Sequence, residues 1–355
     1  MCVSKGRIPV TVHIRTVHSR TRWAAPAARS LFVLLTALLL IPAPLATAAS
    51  VDTASAPGGG SSSGSLEPSG LEQAHNPDWM SALPDDTGLS ELSLPGTHDT
   101  MAARASVFAD TQDVDLPTQL RAGVRAVDIR TRHFRDVFPI HHGLEYLNTN
   151  FTNVVVQLTD FLREHPTETV VMRLKEEYTP AENTRSYEDT LNWYIHDNPE
   201  TGPRLREHLW PADGNRFPTL GEARGKIVVI EGFDAEETFG PRWGTAGMDI
   251  QDTYELTGIG DVDRKWDLVR TQFDRAASGD AQTFFVNHLS ATGNPAALVT
   301  GTVPVTVARG VPGTVGILDR TEDYLEANPI GRTGAVMADY PTAELVDELV
   351  ARNFR

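Results

Sequence analysis

Apolar residues along this chain gather into short runs that close in polar residues: Leu89 to Leu94, Ala126 to Ile129, Val137 to Ile140, Thr169 to Leu174, Lys226 to Ile230, Met248 to Ile250, Thr283 to Val286, and Ala335 to Met337. Several are continuous rather than alternating, the pattern of strands covered on both faces. Helical periodicity fills some of the gaps. After Thr152, Val155, Leu158 and Leu162 fall on one face before a stop at Pro166, and Thr342 is placed to cap a last helix burying Leu345, Val346, Leu349 and Val350. The succession predicts an α/β fold, an irregular (β/α)8 TIM-type barrel in a single domain. It is irregular because the run at Val137 follows its predecessor too closely for a crossover helix. No internal repeat is evident.

The amino-terminal part departs from this pattern. Lys5, Arg7, Arg15, Arg20, Arg22 and Arg29 precede an apolar run from Leu31 to Ile41, Asp and Glu are absent, and Ala46-Thr47-Ala48 offers a cleavage site. That layout predicts a signal peptide over residues 1–49 and a secreted, extracellular product. An uncleaved anchor is the competing reading, since Ser30 to Ala49 is almost wholly apolar, but Pro42 and Pro44 would interrupt a spanning helix. Residues 50–75 are rich in Gly, Ser, Ala and Pro and read as a flexible linker, leaving 76–355 as the barrel.

Charge narrows the partners. The 355-residue chain carries a formal net charge of −16, and removing the six cationic side chains of the leader takes it to −22. Nucleic acid is a poor partner for such a surface, and so is any membrane contact that relies on basic residues. The single cysteine is Cys2, so thiol catalysis, Cys-ligated zinc and disulfides are excluded from the mature chain. A large apolar core has to supply the stability instead.

Candidate chemistry collects at the ends of the apolar runs, where a barrel of this type carries its active site. The first leads into Pro95-Gly96-Thr97-His98-Asp99, whose Pro-Gly pair reads as a tight turn. The second ends in Asp128-Ile129-Arg130, and strand alternation puts the acid and the base on one side. The third ends in His141-His142, of which only one imidazole can enter the site. Lys175 closes the fourth, and Asp339-Tyr340 follows the eighth.

Two His, several Asp, an Arg and a Lys at one end of a barrel suit a phosphodiester. One imidazole removes a proton from an attacking hydroxyl, the other protonates the leaving oxygen, and the cations hold the phosphoryl oxygens. A metal site is the rival reading of the same side chains, opposed by Arg130 and Lys175, which would repel a divalent ion.

With these residues in view, the chain from Trp79 onward resembles the bacterial phosphatidylinositol-specific phospholipases C. The resemblance rests on Leu92 to Asp99 (LSLPGTHD), Asp128-Ile129-Arg130, Ile140 to Gly143 (IHHG), Glu168 to Lys175 (ETVVMRLK) with Glu177-Tyr178, Leu220 to Ile230, Gln251 to Tyr254 (QDTY) and Asp339-Tyr340.

The resemblance implies His98 as general base oriented by Asp339, and His142 as general acid supported by Asp99. It implies Arg130 on the phosphate with Asp128 beside it, Lys175 and Asp252 on inositol hydroxyls, and Tyr254 as an aromatic wall. It further implies no metal, no cofactor, no protein partner, a monomer, and transient contact with phosphatidylinositol in membranes. The reaction implied is attack by the inositol 2-hydroxyl, giving diacylglycerol and inositol 1,2-cyclic phosphate. One position departs: where the family's best-known members carry an inositol-contacting arginine after Val228-Val229-Ile230, this chain has Glu231-Gly232-Phe233.

Two other functions stand beside this one: a phosphodiesterase for a different glycerophosphodiester or cyclic phosphate, and a barrel that binds lipid headgroups without turnover. Apolar residues in turn-rich loops, Phe134 and Phe138, Phe239 and Trp243, and Val299, Val303, Val305 and Val307, either touch a bilayer or fold inward as core.

Overall fold

The computed structural model describes residues 68–355; the predicted leader and most of the predicted linker lie outside the described residues. The parallel sheet is built from β1 (Ser93–Thr97), β2 (Ala126–Thr131), β5 (Val170–Glu176), β6 (Ile227–Gly232), β7 (Met248–Gln251), β9 (Phe284–His288) and β13 (Gly334–Ala338), in the spatial order β6-β5-β2-β1-β13-β9-β7. It curls into a barrel whose interior is floored by Ala126, Val171, Ile230, Val286, Ala335 and Met337 around one small cavity.

The irregularity expected at the third run takes a definite form. β3 (Pro139–His142) turns back antiparallel against β2 through Thr131 and Ile140, and pairs with β4 (Glu145–Asn150) in a hairpin outside the barrel wall. Seven residues separate β2 from β3, fewer than a parallel crossover needs.

Two minor pairs complete the strands: β8 (Glu255–Leu256) with β10 (Thr292–Gly293), and β11 (Gly310–Val311) with β12 (Thr314–Val315). Helices α1 (Leu116–Ala122), α2 (Phe151–Glu164), α3 (Tyr187–His196), α4 (Thr201–His208) and α5 (Leu220–Ala223) accompany the first half. The second half adds α6 (Val262–Ser278), α7 (Pro295–Val299), α8 (Pro304–Arg309), α9 (Ile317–Ala327) and α10 (Ala343–Ala351). α2 buries Val155, Leu158 and Leu162 as its periodicity predicts, and Thr342 caps α10 through the Leu345 amide at 3.1 Å.

Three local expectations are corrected. The first strand is Ser93–Thr97 and not Leu89 to Leu94; Leu89–Glu91 is a 3-10 turn leading into it. Pro95 and Gly96 therefore lie inside β1 and make no tight turn. The glycine is demanded by packing, because a Cβ there would come within 2.7 Å of the Met337 sulfur and 3.0 Å of Ala126. The strand read as Thr283 to Val286 continues to His288.

Among the described residues no ladder joins β6 to β7, so the barrel has a seam there. The segment 233–247 closes it: Arg242 bridges to Glu231, and the buried Glu231 carboxylate accepts from the amides of Phe239 (2.6 Å) and Gly240 (3.1 Å) and pairs with Arg242 at 3.0 Å. The Trp243 amide then reaches the Glu231 carbonyl at 2.9 Å.

Candidate active site

The ladder between β1 and β13 sets Thr97 against Ala338, and the His98 amide extends it to the Ala338 carbonyl at 3.0 Å. The next residues out, His98 and Asp339, are thereby side by side, with Nδ1 2.8 Å from Oδ1. Gln112 ties the two strand ends together, donating to the His98 carbonyl (2.7 Å) and the Ala338 carbonyl (3.1 Å). Asp99 and Tyr340, one residue further on each strand, sit at φ of 40° and 51°. That left-handed backbone is costly for side-chain-bearing residues and is characteristic of functional sites.

β2 and β5 pair Asp128 with Arg173 and, two residues on, Arg130 with Lys175, an acid–base layer followed by a layer of two cations. Arg130 is the hub. Its Nε donates to Asp128 Oδ2 at 2.9 Å, its Nη1 lies 3.6 Å from Asp99 and 3.8 Å from Glu177, and its Nη2 contacts His98 Nε2 at 2.6 Å. Burial works against the guanidinium charge, but Asp128, Asp99 and Glu177 outweigh it and hold Arg130 protonated. Asp128 is pushed up by burial and pulled further down by Arg130 and by Arg173 at 3.5 Å, and ends well below the usual carboxylate range. Lys175 pairs with Glu177 at 2.6 Å.

A guanidinium donating to His98 Nε2 requires that nitrogen to be bare, so the ring proton sits on Nδ1 and is donated to Asp339. Burial, reinforced by the Arg130 charge, lowers the His98 pKa well below that of a free imidazole. Burial pushes the Asp339 carboxyl up, which strengthens its hold on the Nδ1 proton.

His142 is set the opposite way. Its Nδ1 lies 2.9 Å from Asp99 Oδ2 and 2.9 Å from the Ala109 carbonyl, and although burial opposes the charge, Asp99 raises its pKa above the ordinary value. The two rings stand 6.4 Å apart, nearly perpendicular, with Arg130 between them. The two imidazoles are thus shifted in opposite directions, His98 down and His142 up, on either side of the Arg130 guanidinium. His141 turns away to pack on Tyr146, as alternation requires.

Of the remaining sequence-derived candidates, Asp252 follows β7, its carboxylate 3.9 Å from His288 Nδ1, and Tyr254 is 58% exposed beyond it. Three residues of the site had no role in the sequence reading. Glu177 anchors Arg130 and Lys175; Arg173 lies 3.7 Å over the Trp243 ring beneath Asp128; His288, wholly buried, stands 5.8 Å from the His98 ring. Counting back two residues from Lys175 would have found Arg173. Extending the seventh strand by two would have found His288.

Residues 86–232 match the family described as phosphatidylinositol-specific phospholipase C, X domain. The 1-phosphatidylinositol phosphodiesterase of Listeria monocytogenes is 35% identical over 228 residues, 60% of this chain and 68% of the relative. The Staphylococcus aureus protein of the same name is 29% identical over 292 residues, 74% of this chain and 87% of the relative. The solved Listeria phosphatidylinositol-specific phospholipase C superposes with a TM-score of 0.64 at 27% identity, over 79% of this chain and 99% of that one. A mutant of the Staphylococcus enzyme gives 0.65 at 26%, over 80% and 99%.

Proposed function

Since the chain belongs to the phosphatidylinositol-specific phospholipase C family, we propose that it cleaves phosphatidylinositol with His98 as general base and His142 as general acid. With substrate bound, Arg130 Nη2 shifts its hydrogen bond from His98 Nε2 to a phosphoryl oxygen, and the freed Nε2 takes the proton of the inositol 2-hydroxyl as that oxygen bonds to phosphorus. The bond from phosphorus to the glycerol oxygen breaks, and His142 delivers a proton to it. Diacylglycerol and inositol 1,2-cyclic phosphate result, and slow hydrolysis of the cyclic ester follows with the two roles reversed.

Asp339 and Asp99 fix the tautomers of His98 and His142, and Arg130, positioned by Asp128, holds the phosphoryl oxygens. Lys175, Asp252 and Tyr254 contact the inositol ring. The observation that carries this reading is the placement of Arg130 between two imidazoles that each own a carboxylate.

Catalysis is metal-independent in this proposal, because the carboxylates that would attract a cation, Asp99, Asp128 and Glu177, already face the Arg130 guanidinium. The protein is exported with its leader removed at about residue 49 and acts as a monomer. No helix among the described residues is long and apolar enough to cross a membrane, so the substrate is met at the bilayer surface.

A phosphorus NMR time course on phosphatidylinositol vesicles, with and without chelator, tests the whole. A cyclic phosphate signal that survives chelation is expected. Its loss on chelation would move the phosphate-binding role to a metal, and turnover of another diester in place of phosphatidylinositol would overturn the substrate.

The apolar loop residues named from the sequence divide between core and surface. Phe138, Val303, Val305 and Val307 are core residues, while Phe239 and Trp243 are partly buried against the core. Val299 is exposed, and so, outside those candidates, are Val107 and Phe108 in the loop after β1 and Leu144 at the tip of the β3–β4 hairpin, which we take as the lipid-contacting surface. Ser106 binds the Glu145 carboxylate at 2.7 Å (amide) and 2.5 Å (hydroxyl), joining loop and hairpin tip beside His142. Joint replacement of Phe108 and Leu144 by serine is expected to weaken vesicle binding about tenfold or more. Turnover of soluble cyclic phosphate should be unchanged; vesicle sedimentation and phosphorus NMR measure the two.

A further inference from the structure

Helix α6 packs against the outside of β7 and β9 and buries Val262, Val269, Phe273 and Ala276 at helical spacing. Lys265 is buried with them and is wholly inaccessible to solvent. Its ammonium donates to the Thr253 carbonyl at 2.7 Å and to Gln251 Oε1 at 3.3 Å, the residues on either side of Asp252.

Gln251 continues the chain of contacts. Its Oε1 accepts from the Thr253 amide (2.8 Å), and its Nε2 donates to Asn287 Oδ1 (2.9 Å) and to the His288 carbonyl (2.9 Å). Asn287 returns to α6 by donating to the Val269 carbonyl at 2.9 Å. A closed circuit of buried hydrogen bonds thus runs from α6 to the end of β7, to the end of β9 and back.

We propose that Lys265 is a positioning residue for headgroup recognition: it clamps both neighbours of Asp252 and so fixes the Asp252 carboxylate and Tyr254 relative to the site. The inference rests on the reading of Asp252 and Tyr254 as inositol contacts. Packing alone does not call for a lysine, since an unbranched apolar side chain would fill the same space without desolvating an ammonium. Irregular backbone after a strand, by contrast, needs its carbonyls satisfied, and the Thr253 carbonyl has Lys265 as its donor.

Burial brings the ammonium down to about 7, against the opposing pull of Asp252 after β7 and Asp339 after β13, with Arg264 on its own helix adding to the lowering. His288 at the end of β9 also faces it, held neutral by burial at about 4. The clamp therefore carries its charge below neutral pH and sheds it above, where it keeps its contact with Thr253 but no longer attracts the Asp252 carboxylate.

The test is competitive inhibition by myo-inositol, measured with phosphatidylinositol turnover on the intact protein and on Lys265→Met. The variant is expected to bind myo-inositol roughly tenfold more weakly and to raise KM alike. Its kcat should stay within about threefold of the parent. Inhibition of the parent should weaken between about pH 6 and 8, while the variant shows no such dependence.

A folded Lys265→Met protein inhibited like the parent would overturn the proposal, as would a loss confined to kcat. Should that variant not fold, Gln251→Leu breaks the same circuit with Lys265 in place, and unchanged inhibition there overturns the proposal equally. A parent enzyme idle on phosphatidylinositol would instead overturn the substrate reading on which the clamp rests.

Discussion

Alanine at His98 or at His142 lowers phosphatidylinositol turnover roughly a hundredfold to ten-thousandfold, the usual contribution of a positioned acid or base. Phosphorus NMR of the released cyclic phosphate measures it, and near-normal activity in either variant would remove that residue from its role. The parent's pH profile carries the same assignment. His98 must be neutral, and its lowered pKa puts the acid limb below the ordinary imidazole value of 6.5. His142 must be protonated, and its raised pKa puts the alkaline limb above that value. Because the base titrates below the acid, the productive state dominates between the limbs, which report macroscopic values of the coupled pair.

Replacing Arg130 by lysine is expected to cost about a hundredfold to a thousandfold in kcat/KM, comparable to losing one preorganised donor at a developing charge. Charge is retained in that variant but the fork is not. A single ammonium cannot serve Asp128 through one nitrogen and a phosphoryl oxygen through others. Alanine at the same position adds a second signature: the cation that depresses His98 is gone, so the acid limb of the profile moves up in pH. Wild-type kcat/KM in the lysine variant would show that the phosphate is held elsewhere.

Much of this site is legible in the chain because strand alternation is a strict rule. Asp128 and Arg130 had to share a side, His141 and His142 had to part, and both do so. The barrel was legible from its buried runs for the same reason. What the sequence hides is pairing between distant segments. The partnership of His98 with Asp339 depends on the register of β1 against β13, which no local pattern encodes.

His288 was passed over because Asn287 looks like the end of an apolar run, when its amide is satisfied internally by Gln251 and Val269. Pro95 and Gly96 misled in the other direction: their usual meaning is a turn, whereas here the glycine serves the close approach of Met337 and Ala126 inside a strand. Apolar character does not distinguish a core residue from a rim residue, so the sequence left the turn-rich loops open between the two: Phe138, Val303, Val305 and Val307 are core, and Val299 is exposed. The Glu231 carboxylate ties down the Phe239 segment, and the Ser106 hydroxyl joins the loop after β1 to the hairpin tip.

Gly232 bears on how this enzyme can change. Set opposite Lys175 in the β5–β6 ladder, it has no room for a side chain, since a Cβ would come within 2.9 Å of the Leu174 carbonyl and 3.1 Å of the Lys175 backbone. An arginine acquired there by mutation would push the two strands apart before it could reach a headgroup. A single substitution at Gly232 therefore supplies no side chain to a headgroup without first moving the β5–β6 backbone.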